Sequence, residues 1–408
     1  MVRSNYLEQV NAAYARLTYD QLVIFLVARG LSTIGTEEEL AYRLAEYDIE
    51  TYRFPQDTNG PGSRNGVSMS GSKPRTRQAK APDLPVEILA EIMDHIGDWE
   101  LAKAVGVPSC LPPPLDWTQA NQTDHAVLTG YLPLIRAADP AAHPPTKVSA
   151  ILAVRFGYVN VLEYFLIHHP PIFRSLYHCD LLPITAAIHG RISVLSWWRH
   201  ARELHPVVIT MPSMDSVIKA IDGASRHGHV VSLEWWYNSG LPFLYTEAAL
   251  EMASAKNHIE VLSWWKRKNK ECRLPMKIGK VMDMASNAGH VGVLDWWARN
   301  QPEIKYDKLA MYHASCHGRV DVLQWWLDSG LQLIFDPDAL IGATKHNRPE
   351  VLEWWDKSGL PIQYRMCDIE EALEDAIGGG EAARQWWTRK GVDFNANDTV
   401  WMKLQNLN

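Results

Sequence analysis

Gly318-Arg319-Val320-Asp321-Val322-Leu323-Gln324-Trp325-Trp326 holds the feature that decides the fold, a pair of adjacent tryptophans closing an apolar run. The pair recurs as Trp197-Trp198, Trp235-Trp236, Trp264-Trp265, Trp296-Trp297, Trp354-Trp355 and Trp386-Trp387. In chain order the seven pairs are separated by 38, 29, 32, 29, 29 and 32 residues, and Tyr164-Phe165 stands 33 residues before the first. Self-similarity at such a period marks a repeat array, whose units bury their apolar faces only against one another. Arrays of this kind serve mainly as binding surfaces.

Val-Leu precedes the pair in most copies, and the residue just before it is always polar: Glu163, Ser196, Glu234, Ser263, Asp295, Gln324, Glu353 or Gln385. On a helix this pattern predicts one solvated edge beside an apolar arc of about 160 degrees. Seven positions before each pair stands Gly157, Gly190, Gly228, Asn257, Gly289, Gly318, Asn347 or Gly379. Glycine and asparagine enter the left-handed region at least cost, so a first helix ends and a tight turn begins there. Four residues earlier Ala153, Ala186, Ala224, Ala253, Ala285, Ala314 and Ala343 keep that first helix thin enough to lie close to its neighbour, and only Asp375 breaks the series.

Each unit therefore reads as helix, turn, helix and a loop such as Ser329-Gly330-Leu331. The unit resembles the ankyrin repeat, through the Ala-x-x-x-Gly-His tail of Ala285 to His290 and the glycine loop Gly391-Val392-Asp393-Phe394-Asn395-Ala396. The family's Thr-Pro-Leu-His opening is missing. Leu309-Ala310-Met311-Tyr312 stands in its place, so the hydrogen bonds of that motif are either replaced or absent. Gly130, 27 residues before Gly157, marks a degenerate first copy, and the polar run from Asn395 closes the last. The 38-residue spacing predicts a protruding loop from Arg199 to Asp215. The expected fold is all-α, a solenoid over 121–402 with small helical domains before it.

Residues 6–50 place Leu17, Leu22, Leu26, Leu40 and Leu44 at helical spacings around Gly30-Leu31-Ser32-Thr33-Ile34-Gly35. The order resembles a SAP domain, whose family often binds DNA or RNA. Thr36-Glu37-Glu38-Glu39 stands where nucleic-acid-binding members carry lysine, and carboxylates there suit a helix N-terminus. Residues 51–82 read as a flexible linker, with Arg64, Lys73, Arg75, Arg77 and Lys80 and no acid from Thr58 on. If the SAP resemblance carries function, Arg29, Arg43, Lys73, Arg75, Arg77 and Lys80 would contact phosphates.

Leu84-Pro85-Val86-Glu87-Ile88-Leu89-Ala90-Glu91-Ile92 opens a helix with proline at its start and one apolar stripe. Over 83–120 the segment resembles the F-box, whose family docks on a Skp-type adaptor of a cullin ubiquitin ligase. The resemblance assigns adaptor contact to Leu84, Pro85, Ile88, Ile92 and Ile96. It departs after Gly106-Val107-Pro108, where Leu111-Pro112-Pro113-Pro114 replaces a third helix. The alternative is a helical pair that caps the first repeat.

The formal charge of −7 gives no global basic field, and five scattered cysteines suit a reducing compartment. No run approaches the roughly 20 apolar residues of a membrane helix, so a cytoplasmic or nuclear protein without membrane contact is expected. The turn histidines His189, His227, His229, His258, His290, His317 and His346 read as groups bonding helix ends, and neither a metal nor a cofactor is expected. No catalytic motif is visible, so the chain is not expected to be an enzyme. The tryptophans Trp198, Trp236, Trp265, Trp297, Trp326, Trp355 and Trp387 are assigned to the repeat core. The functional expectation is a protein-binding solenoid, with substrate presentation to the ligase, nuclear association with nucleic acid, or a simple scaffold as the routes left open.

Overall fold

A computed structural model describes residues 7, 10–12, 14, 15, 17, 19–28, 31–51, 85–177, 180–272, 274–301, 304–394 and 401–407. Leu84, Arg29, Lys73, Arg75, Arg77, Lys80 and all but the first residue of the expected linker lie outside them. The chain forms two compact units, 1–178 and 179–408, and is an all-α helical solenoid in class.

In the first unit, helices Tyr19–Ala28 and Glu37–Thr51 close on a core of Tyr14, Leu22, Leu26, Leu40 and Leu44. Helix Val86–Ile96 ends at left-handed Gly97, and helix Trp99–Val105 follows. Two helix pairs come next, Gln122–Leu128 with Leu132–Ala137 and Lys147–Arg155 with Val159–His168. Gly130 and Gly157 sit at their turns with φ of 66° and 76°. The Tyr158 hydroxyl donates to the Leu128 carbonyl and the Asn160 amide to that of Gly130, so the degenerate copy is tied to the next.

The second unit is built from helix pairs in which first helices pack tightly in one row and second helices more loosely in another. Its first helices run from Leu181–Ile188 to Met366–Glu374 and its second helices from Ile192–Leu204 to Glu381–Arg389. The alanines Ala186, Ala224, Ala253, Ala285, Ala314 and Ala343 are fully buried between first helices. Every turn residue of the series has positive φ, including the non-glycines Asn257 at 61° and Asn347 at 54°.

The second tryptophan of each pair is at most 1% exposed, and burying an indole demands an acceptor for its N–H. From Trp265 onward that acceptor is a buried hydroxyl on the first helix of the preceding copy. Trp265 donates to Ser225, Trp297 to Ser254, Trp326 to Ser286, Trp355 to Ser315 and Trp387 to Thr344, over 2.9–3.3 Å. The hydroxyls of Ser254, Ser315 and Thr344 in turn donate to the carbonyl four residues back.

The first tryptophans form a second series. Trp235, Trp264, Trp296, Trp325, Trp354 and Trp386 donate to Ser196, Glu234, Ser263, Asp295, Gln324 and Glu353, the polar residues before the preceding pair. The polar edge expected to be merely solvated therefore carries an inter-repeat hydrogen bond, because the first indole of the next copy, buried at Trp264, Trp354 and Trp386, reaches it. At Glu234 burial alone would raise the carboxyl pKa, but bonds from Lys268, Trp264 and Asn238 outweigh it and hold the group down at about 2.

One expected boundary moves, and one short ladder is added to the all-α fold. The loop expected from Arg199 to Asp215 is shorter: helices Ile192–Leu204 and Met214–Arg226 take its two ends and leave residues 205–213 between them, with Ser213 capping the second through the Ser216 N–H. At the far end the all-α pattern is interrupted by a two-residue antiparallel ladder, Gln363–Tyr364 with Gln405–Asn406, which seats Leu407 and closes the last pair.

Trp326→Ala should lower stability by about 3–5 kcal/mol, as deletion of a buried aromatic does. Among the described residues the Trp236 indole N–H has no protein acceptor, and Ala187 occupies the place that a hydroxyl holds in later copies. Ala187→Ser should therefore raise stability by about 1 kcal/mol in chemical denaturation, where an unchanged midpoint would contradict the hydroxyl–indole account.

Candidate interaction surfaces

Helix Val86–Ile96 buries none of its side chains. Ile88, Ile92 and Ile96 are 43%, 39% and 54% exposed, one turn apart along a single stripe, while Pro85 is half-buried at the N-cap. The helix is held from its other side. Asp94 accepts from the Ser109 hydroxyl at 2.6 Å and the Cys110 N–H at 3.0 Å. Asp98 caps the following helix through the Leu101 N–H, and Arg155 pairs with both Asp98 and Glu100. Trp117 packs on Trp99 with ring centroids 5.3 Å apart and donates to Glu100 at 2.7 Å. Residues 107–114 carry no helix, and Leu115–Trp117 form only a short 3-10 turn. Lys103, buried beneath this pair, has its ammonium pKa lowered to about 8 by burial, against the opposing pull of Asp94.

In the N-terminal helical pair, Arg43 donates to the backbone carbonyls of Ser32 at 2.6 Å and Ile34 at 3.1 Å. Its guanidinium fastens the turn of its own unit. The acidic run beside it is a helix start: Glu39 and Thr36 form a reciprocal capping box, and Glu37 accepts the Tyr19 N–H.

Bonds into the loop before the next first helix come from a position two residues before the alanine of the repeat. Asp124 accepts the Thr146 N–H at 2.7 Å and the Ser149 hydroxyl at 2.6 Å. Asp222 accepts the Thr246 N–H at 3.0 Å, and Glu251 the Lys280 N–H at 2.7 Å. Asp283 accepts the backbone N–H of Asp307. These carboxylates fix the loop that leads into the next first helix, so they set where any partner on the first-helix face would meet the loops. In later copies the corresponding residues are Tyr312 and Ile341, and ion pairs from Lys308 to Asp336 and Asp338 join the loops there instead. Sequence reading missed this series because the position alternates between acids and apolar residues.

Of the turn histidines, those just after the turn bond the end of the preceding copy's first helix: His229 bonds the Ile188 backbone and His290 that of Ala255. Arg348 does the same for the Cys316 carbonyl. Among the described residues no group of three or more His, Cys, Asp or Glu is placed to hold a metal, and no helix is long and apolar enough to cross a membrane.

No protein-family model matches the chain, and no curated protein matches it. Among solved structures it is similar to the crystal structure of the human ASB11 ankyrin repeat domain, at 16% identity and a TM-score of 0.36, over 52% of this chain and 98% of that one. The helix pairs, their turns and their indole bonds carry the fold assignment.

Asp283 is 4% exposed, and one of its oxygens has no hydrogen-bond partner among the described residues. Burial, and then the charge of Asp307, push its pKa up to about 6. The native state thus holds this proton more tightly than the unfolded chain, so stability falls as pH rises from about 4 through 6 and levels off above. Asp283→Asn should remove that loss and stabilise the protein by on the order of 1–2 kcal/mol at neutral pH. Thermal melts across this range check it, and a variant with the same pH slope as the parent would refute the assignment.

Proposed function

We propose that the chain is a protein–protein interaction protein whose first helices and loops hold a protein partner, and that its F-box-like segment presents that partner to a Skp-type adaptor and a cullin. The observation that supports this reading is the stripe of Ile88, Ile92 and Ile96. A helix with no buried side chain and three exposed isoleucines on one line forgoes the stabilisation of roughly 25 cal/mol per Å² that covering them would give. Soluble domains retain such a face where another chain covers it. The bonds of Asp94 to Ser109 and Cys110 on the other side hold the helix without enclosing the stripe.

Residues 6–50 and 51–82 act in this scheme as an appended helical unit and its tether, and 121–402 as the receptor for the partner. Capture from eukaryotic lysate by the intact chain is the test, beside a variant carrying Ile88→Ala, Ile92→Ala and Ile96→Ala. Because all three side chains are exposed, the variant should melt within about 1 kcal/mol of the parent. Adaptor and cullin should be retained by the parent and lost by the variant; their absence from both would make the helix a cap on the first repeat and leave the solenoid as a plain scaffold.

A further inference from the structure

The turns of the second unit share a charge pattern that the protein-binding reading does not use. Immediately after the Gly or Asn of each turn stand Arg191, His229, His258, His290, Arg319 and Arg348, a cation or a histidine in every copy from 190 to 347. Immediately before it stand His189, His227, Lys256, His317 and His346, with Ala288 the exception. In a chain of formal charge −7, this concentration along one edge is a marked segregation.

The geometry makes the edge continuous. A Cβ placed on Gly190 would fall 2.8 Å from the His229 ring, one on Gly228 2.8 Å from the His258 ring, and one on Gly289 2.9 Å from the Arg319 side chain. Each cationic side chain therefore lies over the turn of the copy before it, and the rings of His317 and His346 are 6.0 Å apart. Arg191, Arg226, Lys256 and Arg319 are exposed. The second helices that begin here at Arg191, His229, His290, Arg319 and Arg348 have no side-chain cap, so the positive ends of their dipoles add to the same field.

We propose that this edge of the second unit docks an extended acidic segment of a partner protein, laid across successive turns with about one carboxylate per copy. Adjacent helices are about 8–10 Å apart, and an extended chain advances about 3.3–3.6 Å per residue, so acids at every third position meet successive copies. Three features favour a peptide over a nucleic acid. Glu260, Asp321 and Glu350, exposed at the starts of second helices, interrupt the cations and would repel an unbroken phosphate backbone. A peptide places its own N–H donors opposite them. A cavity of about 590 Å³ opens on the edge between His229, Val231, Ile259 and Glu260, and takes an intervening side chain. The edge is distinct from the first-helix face and from helix Val86–Ile96, so its failure leaves the proposed function standing.

Docking is linked to protonation. His227, His229, His290 and His317 have pKa values lowered first by burial and then by like neighbours. Those neighbours are Arg191, Arg226, Lys256, Arg319 and Arg348 with the flanking His258, His313 and His346, and the facing acids are Glu260, Asp321 and Glu350. An acidic ligand favours the protonated rings, so binding takes up protons and tightens as pH falls.

The test is fluorescence anisotropy of the full chain with an 18-residue peptide carrying aspartate at every third position, against the same peptide with serine in its place and a single-stranded oligonucleotide of equal charge. At about 50 mM salt the acidic peptide should bind at least about tenfold more tightly at pH 5.5 than at pH 7.5, and more tightly than either control. Arg226→Gln with Lys256→Gln and Arg319→Gln should weaken it about tenfold or more, whereas Lys270→Gln with Lys305→Gln and Lys403→Gln, equally exposed elsewhere, should not. Circular dichroism confirms that both sets fold. Equal loss from the two sets, no pH dependence, or tighter binding of the oligonucleotide would each overturn the proposal.

Discussion

A buried indole must place its N–H on an acceptor, and this chain buries one in every repeat of its second unit. The acceptor lies 40 to 43 residues away, on the preceding copy's first helix, so no repeat satisfies its own tryptophan from Trp265 onward. This constraint fixes much else. The hydroxyl must follow the small alanine, because only a thin first helix lets the indole of the next copy reach it. The turn must be tight, so that the two helices of a copy stay in register with both neighbours. Stability is then a nearest-neighbour property, as expected where each unit contacts only the adjacent ones.

The repeat, its left-handed turns and the burial of the second tryptophans were legible because each leaves a residue type at fixed spacing. The partners of those residues were not. Ser225, Ser254 and Ser286 look in the sequence like fillers beside Ala224, Ala253 and Ala285, and nothing local distinguishes a serine that only fills space from one that accepts an indole. Glu234 and Asp295 likewise read as solvated edge, since the tryptophan that reaches each lies 30 residues on. The loop around Pro206 is legible from its prolines and the long spacing, but not its ends, because the flanking helices extend to Leu204 and from Met214 and leave only 205–213 outside them.

At the candidate surfaces the sequence told less. The stripe of Ile88, Ile92 and Ile96 was visible as periodicity, but periodicity does not reveal which face is covered, and the structure leaves this one open. The SAP resemblance implies a phosphate contact for Arg43, and the structure has its guanidinium bonding its own turn. The charges thus sort by place: carboxylates at Asp124, Asp222, Glu251 and Asp283 join loops on one side, and cations with histidines line the turns of the second unit. A repeat that settles its core with tryptophan leaves these edges free to vary in charge without loss of the fold.

The claim that inter-repeat indole bonds hold the solenoid together is tested most directly by a double-mutant cycle on Trp326 and Ser286, using Trp326→Phe and Ser286→Ala and measuring unfolding free energies of the four proteins. Removing either partner strands the other in the core, so the account predicts a coupling energy of about 1 kcal/mol or more. Effects that add to within about 0.3 kcal/mol would contradict it, and would make the tryptophans ordinary apolar filling.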